Sequence, residues 1–158
     1  KYIKICYTKA MKNNTRVRVI GDKTGLAKDL QESIRTLETD TAKNTGLQFQ
    51  IAINYGSRDE MLRGMRQMMQ DYKEGKITLE EVDEAHFSDY LDTAGIPDPD
   101  LMIRTSGEQR LSNYLMWQHA YSEFYFTDTP WPEFNKAELV KAIEAYTSRD
   151  RRYGKVKA

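Results

Sequence analysis

An α/β fold, with a mainly parallel sheet flanked by helices, is predicted by two observations on this sequence. Strand-like segments alternate with helix-like segments along the whole chain, and strands separated by helices pair in parallel. The 158 residues carry no internal repeat, low-complexity tract or linker, so residues 1–158 are expected to form a single domain around one core.

The elements follow in order. The opening, KYIKICYTKAMKNN, sets Tyr2, Ile3, Cys6, Tyr7 and Met11 on one helical stripe, with no cap or turn before it. It reads as a helix entered partway along and ended by Asn13-Asn14. RVRVIG, Arg16 to Gly21, alternates as a strand, and a weakly amphipathic helix spans roughly Leu26 to Lys43. LQFQIAINYG, Leu47 to Gly56, is a second strand; its stretch Ile51-Ala52-Ile53 lacks polar alternation and is expected to be covered on both faces. Ser57 is placed to cap the next helix, whose apolar stripe is Met61, Leu62, Met65, Met68, Met69 and Tyr72. Glu74-Gly75-Lys76 closes it.

A short acidic helix, Leu79 to Leu91, leads into the turn-rich GIPDPD. Leu101 to Arg104 is expected to be a buried strand, Asn113 to Tyr121 a short helix, and Glu123 to Thr127 an aromatic strand. Pro130-Trp131-Pro132 makes a rigid corner, and a last helix runs from Lys136 to about Arg149 before the basic tail. Trp117, Phe124, Phe126 and Trp131 are assigned to the core or to a dimer interface.

Composition removes several function classes. Lysine plus arginine and aspartate plus glutamate each number 24, so no global charge points to a nucleic-acid partner. The single Cys6 excludes an internal disulfide and a cysteine-based zinc site, and suits a reducing compartment. No run has the length of a membrane span and no signal peptide is evident, so a cytoplasmic location is expected. His86 and His119 lack partners at metal-ligand spacing and read as structural. Neither a GxxxxGK[ST] loop nor a GxGxxG turn appears, which disfavours a generic nucleotide-binding domain.

Ligands of open parallel sheets sit beyond the carboxyl ends of the strands. Two loops there are rich in anion-binding side chains: Arg104, Thr105, Ser106, Gly107, Glu108, Arg110 and Ser112, and then Asn54, Tyr55, Gly56, Ser57 and Arg58. Gly107 would let backbone amides approach a ligand, and Ser112-Asn113 would open a helix whose amino end favours an anion. Two guanidiniums, hydroxyls and a helix start suit a diphosphate. The alternative is an ordinary loop in which Glu108 neutralises Arg104 or Arg110.

The run RTSGEQRLSNYLMWQHAYSEFYFTDTPWPEF, Arg104 to Phe134, closely resembles the carboxyl-terminal signature of the cis-prenyltransferases. NYGSR, Asn54 to Arg58, resembles that family's asparagine-tyrosine-glycine-glycine-arginine loop; the RRYG tail resembles its arginine-x-glycine ending, and VRVIGD, Val17 to Asp22, is also similar. The resemblance implies that Arg104, Arg110 and Ser112 grip the diphosphate of isopentenyl diphosphate and that Glu123 ligates a catalytic Mg2+. It implies that Arg152 and Gly154 reach the diphosphate site of a partner in a homodimer, and that Arg58 and Asn54 support the active-site loop. Glu108 would orient an arginine or take part in proton transfer.

The activity so implied is cis-prenyl chain elongation. Isopentenyl diphosphate is condensed onto an allylic diphosphate such as farnesyl diphosphate, giving a long-chain polyprenyl diphosphate of the undecaprenyl kind for cell-wall lipid carrier synthesis. Its lipid product would associate with membrane, placing the enzyme at the inner membrane surface. Some features depart from the family pattern. Ser57 stands where the family usually has a second glycine, and His119 and Tyr153 are mild variants. The family's aspartate-glycine-asparagine-arginine loop and serine-threonine-glutamate-asparagine segment are not in this sequence. A carboxyl-terminal fragment lacking the first strand or strands is therefore expected. That leaves an alternative, a noncatalytic diphosphate-binding and dimerisation subunit without the allylic site.

Overall fold

The structure, a computed structural model, describes residues 2–149. They fall into two compact units, one from Lys1 to Gly95 and one from Ile96 onward. In the first, α1 (Tyr2–Lys12), β1 (Arg16–Ile20), α2 (Lys28–Thr41), β2 (Gln48–Ala52) and α3 (Ser57–Lys73) alternate as predicted. A 3-10 turn (Leu79–Glu81) and the short α4 (Glu84–Ser88) replace the single acidic helix expected from Leu79 to Leu91. Val82 ends the first and Asp83 caps the second, its carboxylate accepting from the His86 N–H at 2.7 Å.

β1 and β2 pair in parallel, Arg16 against Gln48 through Ile20 against Ala52. Val17, Val19 and Ile20 are nearly inaccessible, and Ala10, Val17 and Leu37 form a core on which Ile3, Cys6, Tyr7 and Ile51 pack. Period-2 alternation puts Val17 and Val19 on one face of β1, while their backbone amides point away from β2. Those amides are met by α2: Thr41 Oγ1 accepts from Val17 N–H at 3.1 Å and Glu38 Oε1 from Val19 N–H at 2.7 Å. Beyond the strand, the Gly21 N–H donates to Asp92 Oδ2 at 2.8 Å. Gly21 has φ 111°, and a Cβ there would overlap the Ile53 carbonyl oxygen, so glycine is required.

Three expectations for this unit fail. Ile51 and Ile53 are only half-buried and Ala52 is exposed, because among the described residues β2 pairs with β1 alone. Tyr2 and Met11 are exposed, the inward face of α1 being Ile3, Cys6, Tyr7 and Ala10. Ser57 is not the cap of α3: Gly56 holds that position with extended backbone, and Ser57 begins the helix fully buried. Along α3, Met68 is buried whereas Leu62, Met65, Met69 and Tyr72 are exposed.

In the second unit, β3 (Leu101–Arg104) and β4 (Glu123–Phe126) pair in parallel, and α5 (Lys136–Thr147) follows a 3-10 turn at Trp131–Glu133. Asn135 caps α5, its Oδ1 accepting from Ala137 N–H at 2.8 Å. Met102 is buried while the rest of β3 is half-buried, and Ala142 of α5 is fully enclosed. Phe124 and Phe126 stack in parallel planes at 6.2 Å. Phe126 is 39% exposed and Trp131 72%, so neither belongs to the core of this unit.

The segment Asn113 to Tyr121 is turns rather than the helix expected there. Ser112, Asn113 and Leu115 have φ of 50°, 62° and 43°, left-handed values that a right-handed helix cannot incorporate. No helix amino terminus therefore stands at Ser112.

Candidate functional site

Arg104 ends β3, and the chain leaves it through a pair of left-handed residues, Ser106 at φ 65° and Gly107 at φ 69°. The loop is laid alongside the segment after β4: Thr127 N–H donates to Arg104 O at 3.0 Å, Gly107 N–H to Thr127 O at 2.9 Å and Ser106 N–H to Thr129 O at 3.1 Å. The Gly107 amide is therefore committed internally, contrary to the expectation that it would face a ligand. Glycine is still favoured there, since a Cβ would press on Asp128 Oδ1 at 3.1 Å.

The two arginines of the loop are each tied to another part of it. Arg104 Nη1 donates to the backbone carbonyl of Arg110, which binds the start of the loop to its end. Glu108 forms an ion pair with Arg110, which resolves which arginine it neutralises. Both partners are substantially exposed, so this pair orients Arg110 more than it stabilises the fold. Ser112 and Arg110 are exposed and Arg104 is half-buried, and all three carry donors of the kind that suits a polyanion.

Glu123 opens β4 opposite Leu101, whereas Arg104 lies opposite Phe126. Three residues of strand rise place Glu123 about 10 Å along the ladder from Arg104. Its Oε2 accepts from Arg149 Nη1 at 2.6 Å. Among the described residues no group of three His, Cys, Asp or Glu side chains could hold a metal ion. Mg2+ is commonly held by one or two carboxylates together with substrate phosphate oxygens, and Glu123 suits that donor role as a single hard oxygen ligand. Arg152 and Gly154 lie outside the described residues.

In the first unit, Asn54 takes a left-handed conformation (φ 49°) just beyond β2, and its Nδ2 donates to Asp22 O at 2.9 Å while Asp22 N–H donates to Asn54 O at 3.1 Å. The loops following β1 and β2 are thus joined. Arg58 is exposed in the first turn of α3. Beneath this pair lies a polar cluster that the sequence did not announce. Glu60 is 1% exposed, accepts from Tyr55 Oη at 2.5 Å and from Asp92 N–H at 2.9 Å, and Arg63 grips both Asp92 oxygens at 3.0 and 2.8 Å. The Asp92 partner raises the Arg63 pKa above its ordinary value. Burial alone would raise the Asp92 carboxyl, but hydrogen bonds from Arg63 and Gly21 hold it below the usual range. No local sequence signal finds these residues, because Asp92 meets Gly21 across 71 positions.

His119 is 5% exposed in the second unit, with its ring tilted against Tyr114 and Phe124. Ser122 Oγ donates to Pro99 O at 2.5 Å, so at 2.8 Å it receives the proton of His119 Nδ1. Among the described residues Nε2, a buried acceptor, finds no partner. Burial lowers the His119 pKa, while Asp98 opposes that shift. The ring of His86 stacks on Tyr90 at 5.9 Å.

The chain is of the α/β class with parallel strands, and its arginine-bearing loop leaves β3 at the carboxyl end, the side on which open parallel sheets hold their ligands. The comparisons make that class specific. The prenyltransferase family model, described as undecaprenyl diphosphate synthase, matches residues 1–154. The isoprenyl transferase of Clostridium perfringens is 48% identical over 145 residues, covering 92% of this chain and 57% of the relative. That of Agrobacterium fabrum is 49% identical over 143 residues, covering 90% and 58%. Among solved structures, lavandulyl diphosphate synthase from Lavandula x intermedia in complex with dimethylallyl diphosphate matches with TM-score 0.92 and 34% identity, over 98% of this chain and 67% of that one. A probable undecaprenyl diphosphate synthase from Campylobacter jejuni matches with TM-score 0.84 at 34% identity, covering 98% and 70%. The chain belongs to the undecaprenyl diphosphate synthase family of prenyltransferases and spans 57% of the length of its Clostridium relative.

Proposed function

We propose that this chain carries the isopentenyl diphosphate site of a cis-prenyl chain-elongating transferase, and that its whole activity builds a long-chain polyprenyl diphosphate of the undecaprenyl kind. The observation that carries the reading is the clustered loop of Arg104, Glu108, Arg110 and Ser112, inside a chain 48% identical to an isoprenyl transferase. Arg104 and Arg110 would hold the diphosphate by charge-assisted hydrogen bonds, with Ser112 adding a hydroxyl donor. In the first unit, Asn54 and Arg58 would support the active-site loop.

In the elongation step the allylic carbon–oxygen bond breaks, and the departing diphosphate takes the electron pair. The double bond of isopentenyl diphosphate forms the new carbon–carbon bond, and loss of a proton leaves the cis double bond. The energetic demand is separation of a diphosphate anion from a developing cation, which fixed guanidiniums lower. Mg2+, when bound, would neutralise charge on the leaving group, and Glu123 would be the ligand this chain offers. Glu108, held against Arg110, would orient that arginine; the proton-transfer role remains its alternative. A homodimer at the inner face of the membrane, its lipid product passing into the bilayer, completes the reading. No helix among the described residues is long and apolar enough to cross a membrane.

The second reading is a noncatalytic diphosphate-binding and dimerisation subunit, and 48% identity to an isoprenyl transferase favours the first over it. One assay separates the two: incorporation of labelled isopentenyl diphosphate into solvent-extractable product, with farnesyl diphosphate and magnesium, beside calorimetric binding of isopentenyl diphosphate alone. Product supports the transferase, binding without product supports the subunit, and neither would refute both.

A further inference from the structure

Asp92 links separate elements of the first unit at the carboxyl end of its strands. Its Oδ2 receives the Gly21 N–H at 2.8 Å and Arg63 Nη2 at 2.8 Å, its Oδ1 receives Arg63 Nη1 at 3.0 Å, and its own N–H donates to Glu60 Oε1 at 2.9 Å. Gly21 leads into Asp22, whose backbone exchanges hydrogen bonds with Asn54. Glu60 leads to Tyr55, the neighbour of Asn54, through its second oxygen at 2.5 Å. Asp92 therefore reaches the Asp22–Asn54 pair by two routes, one along the backbone and one through a carboxylate that is 1% exposed.

The charge arrangement matters as much as the connectivity. Arg63 is drawn by both Asp92 and Asp59, at 2.8 and 2.9 Å, and its guanidinium plane is fixed by the bidentate half of that arrangement. A bidentate pair supplies orientation that a single bond does not. The loops so fixed hold Asn54 in a left-handed conformation, uncommon for a residue with a Cβ, at the turn that leads into Arg58. A packing role alone would not need to clamp both loops at the end of the sheet where ligands bind.

We propose that Asp92 is a positioning residue for the diphosphate-facing loops after β1 and β2, setting Asn54 and Arg58 through Gly21, Arg63 and Glu60. The inference rests on the reading above that Asn54 and Arg58 support the active-site loop. Asp92→Asn is the informative perturbation: the amide keeps the shape and an acceptor for Gly21, but turns an N–H group toward the Arg63 donors. The clamp then opens on its Arg63 side. Adding Arg63→Gln gives a neutral amide pair that can close it again.

The experiment is calorimetric titration of isopentenyl diphosphate into the full chain, unmodified and as Asp92→Asn, Arg63→Gln and the double variant. Each is studied at a temperature where circular dichroism shows it folded. Amide hydrogen exchange at Gly21 is followed in parallel. Asp92→Asn is expected to weaken binding by about tenfold or more, since ångström-scale misplacement of binding groups has effects of this size. It should also speed Gly21 exchange, and the double variant should recover most of both. Binding by Asp92→Asn equal to that of the unmodified chain would overturn this proposal and leave the functional reading intact. A loss that the double variant does not restore would assign the effect to fold stability and overturn it as well. Failure of the unmodified chain to bind would remove the functional reading and the proposal together.

Discussion

Replacing Thr41 by valine tests how the outward amides of β1 are satisfied. Thr41 is fully buried, and its Oγ1 accepts from Val17 N–H at 3.1 Å while donating to Leu37 O at 2.7 Å. Valine matches the shape and keeps the packing, so the change removes an acceptor and little else. Leu37 O loses only one of its bonds, because the helix hydrogen bond from residue 41 remains available to it. Val17, at 2% exposure, has no water to replace the lost oxygen. An unsatisfied buried donor costs about 1–3 kcal/mol, so Thr41→Val should destabilise the first unit by about 2 kcal/mol. That corresponds to roughly a thirtyfold fall in its folding equilibrium constant. Urea unfolding followed by circular dichroism should show a lower midpoint with an unchanged slope, and Val17 amide exchange should accelerate. A midpoint within about 0.5 kcal/mol of the original would show that the hydroxyl is dispensable and refute the reasoning.

Further expectations concern other sites. Gly21→Ala should destabilise the chain sharply, since both the Ile53 carbonyl and φ 111° oppose a side chain; a thermal midpoint equal to the parent's would refute this. His119 is buried with Nε2 bare, and burial lowers its pKa below the ordinary value near 6.5. The unfolded chain then binds the proton more readily than the folded one, so this contribution is full above about pH 6.5 and falls as pH drops below it. His119→Gln should flatten that part of the stability profile, and an unchanged slope would count against the lowered pKa of the buried imidazole. Arg104→Ala should weaken isopentenyl diphosphate binding by about tenfold, the scale of a charge-assisted hydrogen bond, and calorimetry giving an unchanged affinity would remove Arg104 from the site. Glu123→Gln should diminish binding of Mn2+, used as a paramagnetic probe in the presence of isopentenyl diphosphate; undiminished binding would exclude it as a ligand.

The alternation of elements was legible because period-2 and period-3.6 patterns reflect which side of each element meets the core. RVRVI stood out in this way, whereas the loop from Arg104 to Ser112 stood out by its crowded arginines and hydroxyls. The segment Asn113 to Tyr121 misled because its apolar spacing suits a helix, while left-handed backbone at Ser112, Asn113 and Leu115 leaves no trace in hydrophobicity. Ile51-Ala52-Ile53 misled for a different reason. Composition records that a strand can be covered, whereas its exposure depends on which neighbours are present. The Asp92 clamp could not be read at all, since acidic residues between turns are ordinary and their partners lie 29 to 71 positions away.

One feature of β1 also bears on how the sheet can be extended. Val17, Val19 and Gly21 would each be available to hydrogen-bond a further strand, and each is instead met by a side-chain oxygen, from Thr41, Glu38 and Asp92 in turn. A newcomer would have to displace a buried hydroxyl and two carboxylates before gaining a ladder bond. That margin is therefore protected against strand addition, whether by a second molecule or by an aggregate. Any enlargement of this sheet is directed to the far side of β2, so three polar side chains give the two-stranded ribbon a single direction of growth.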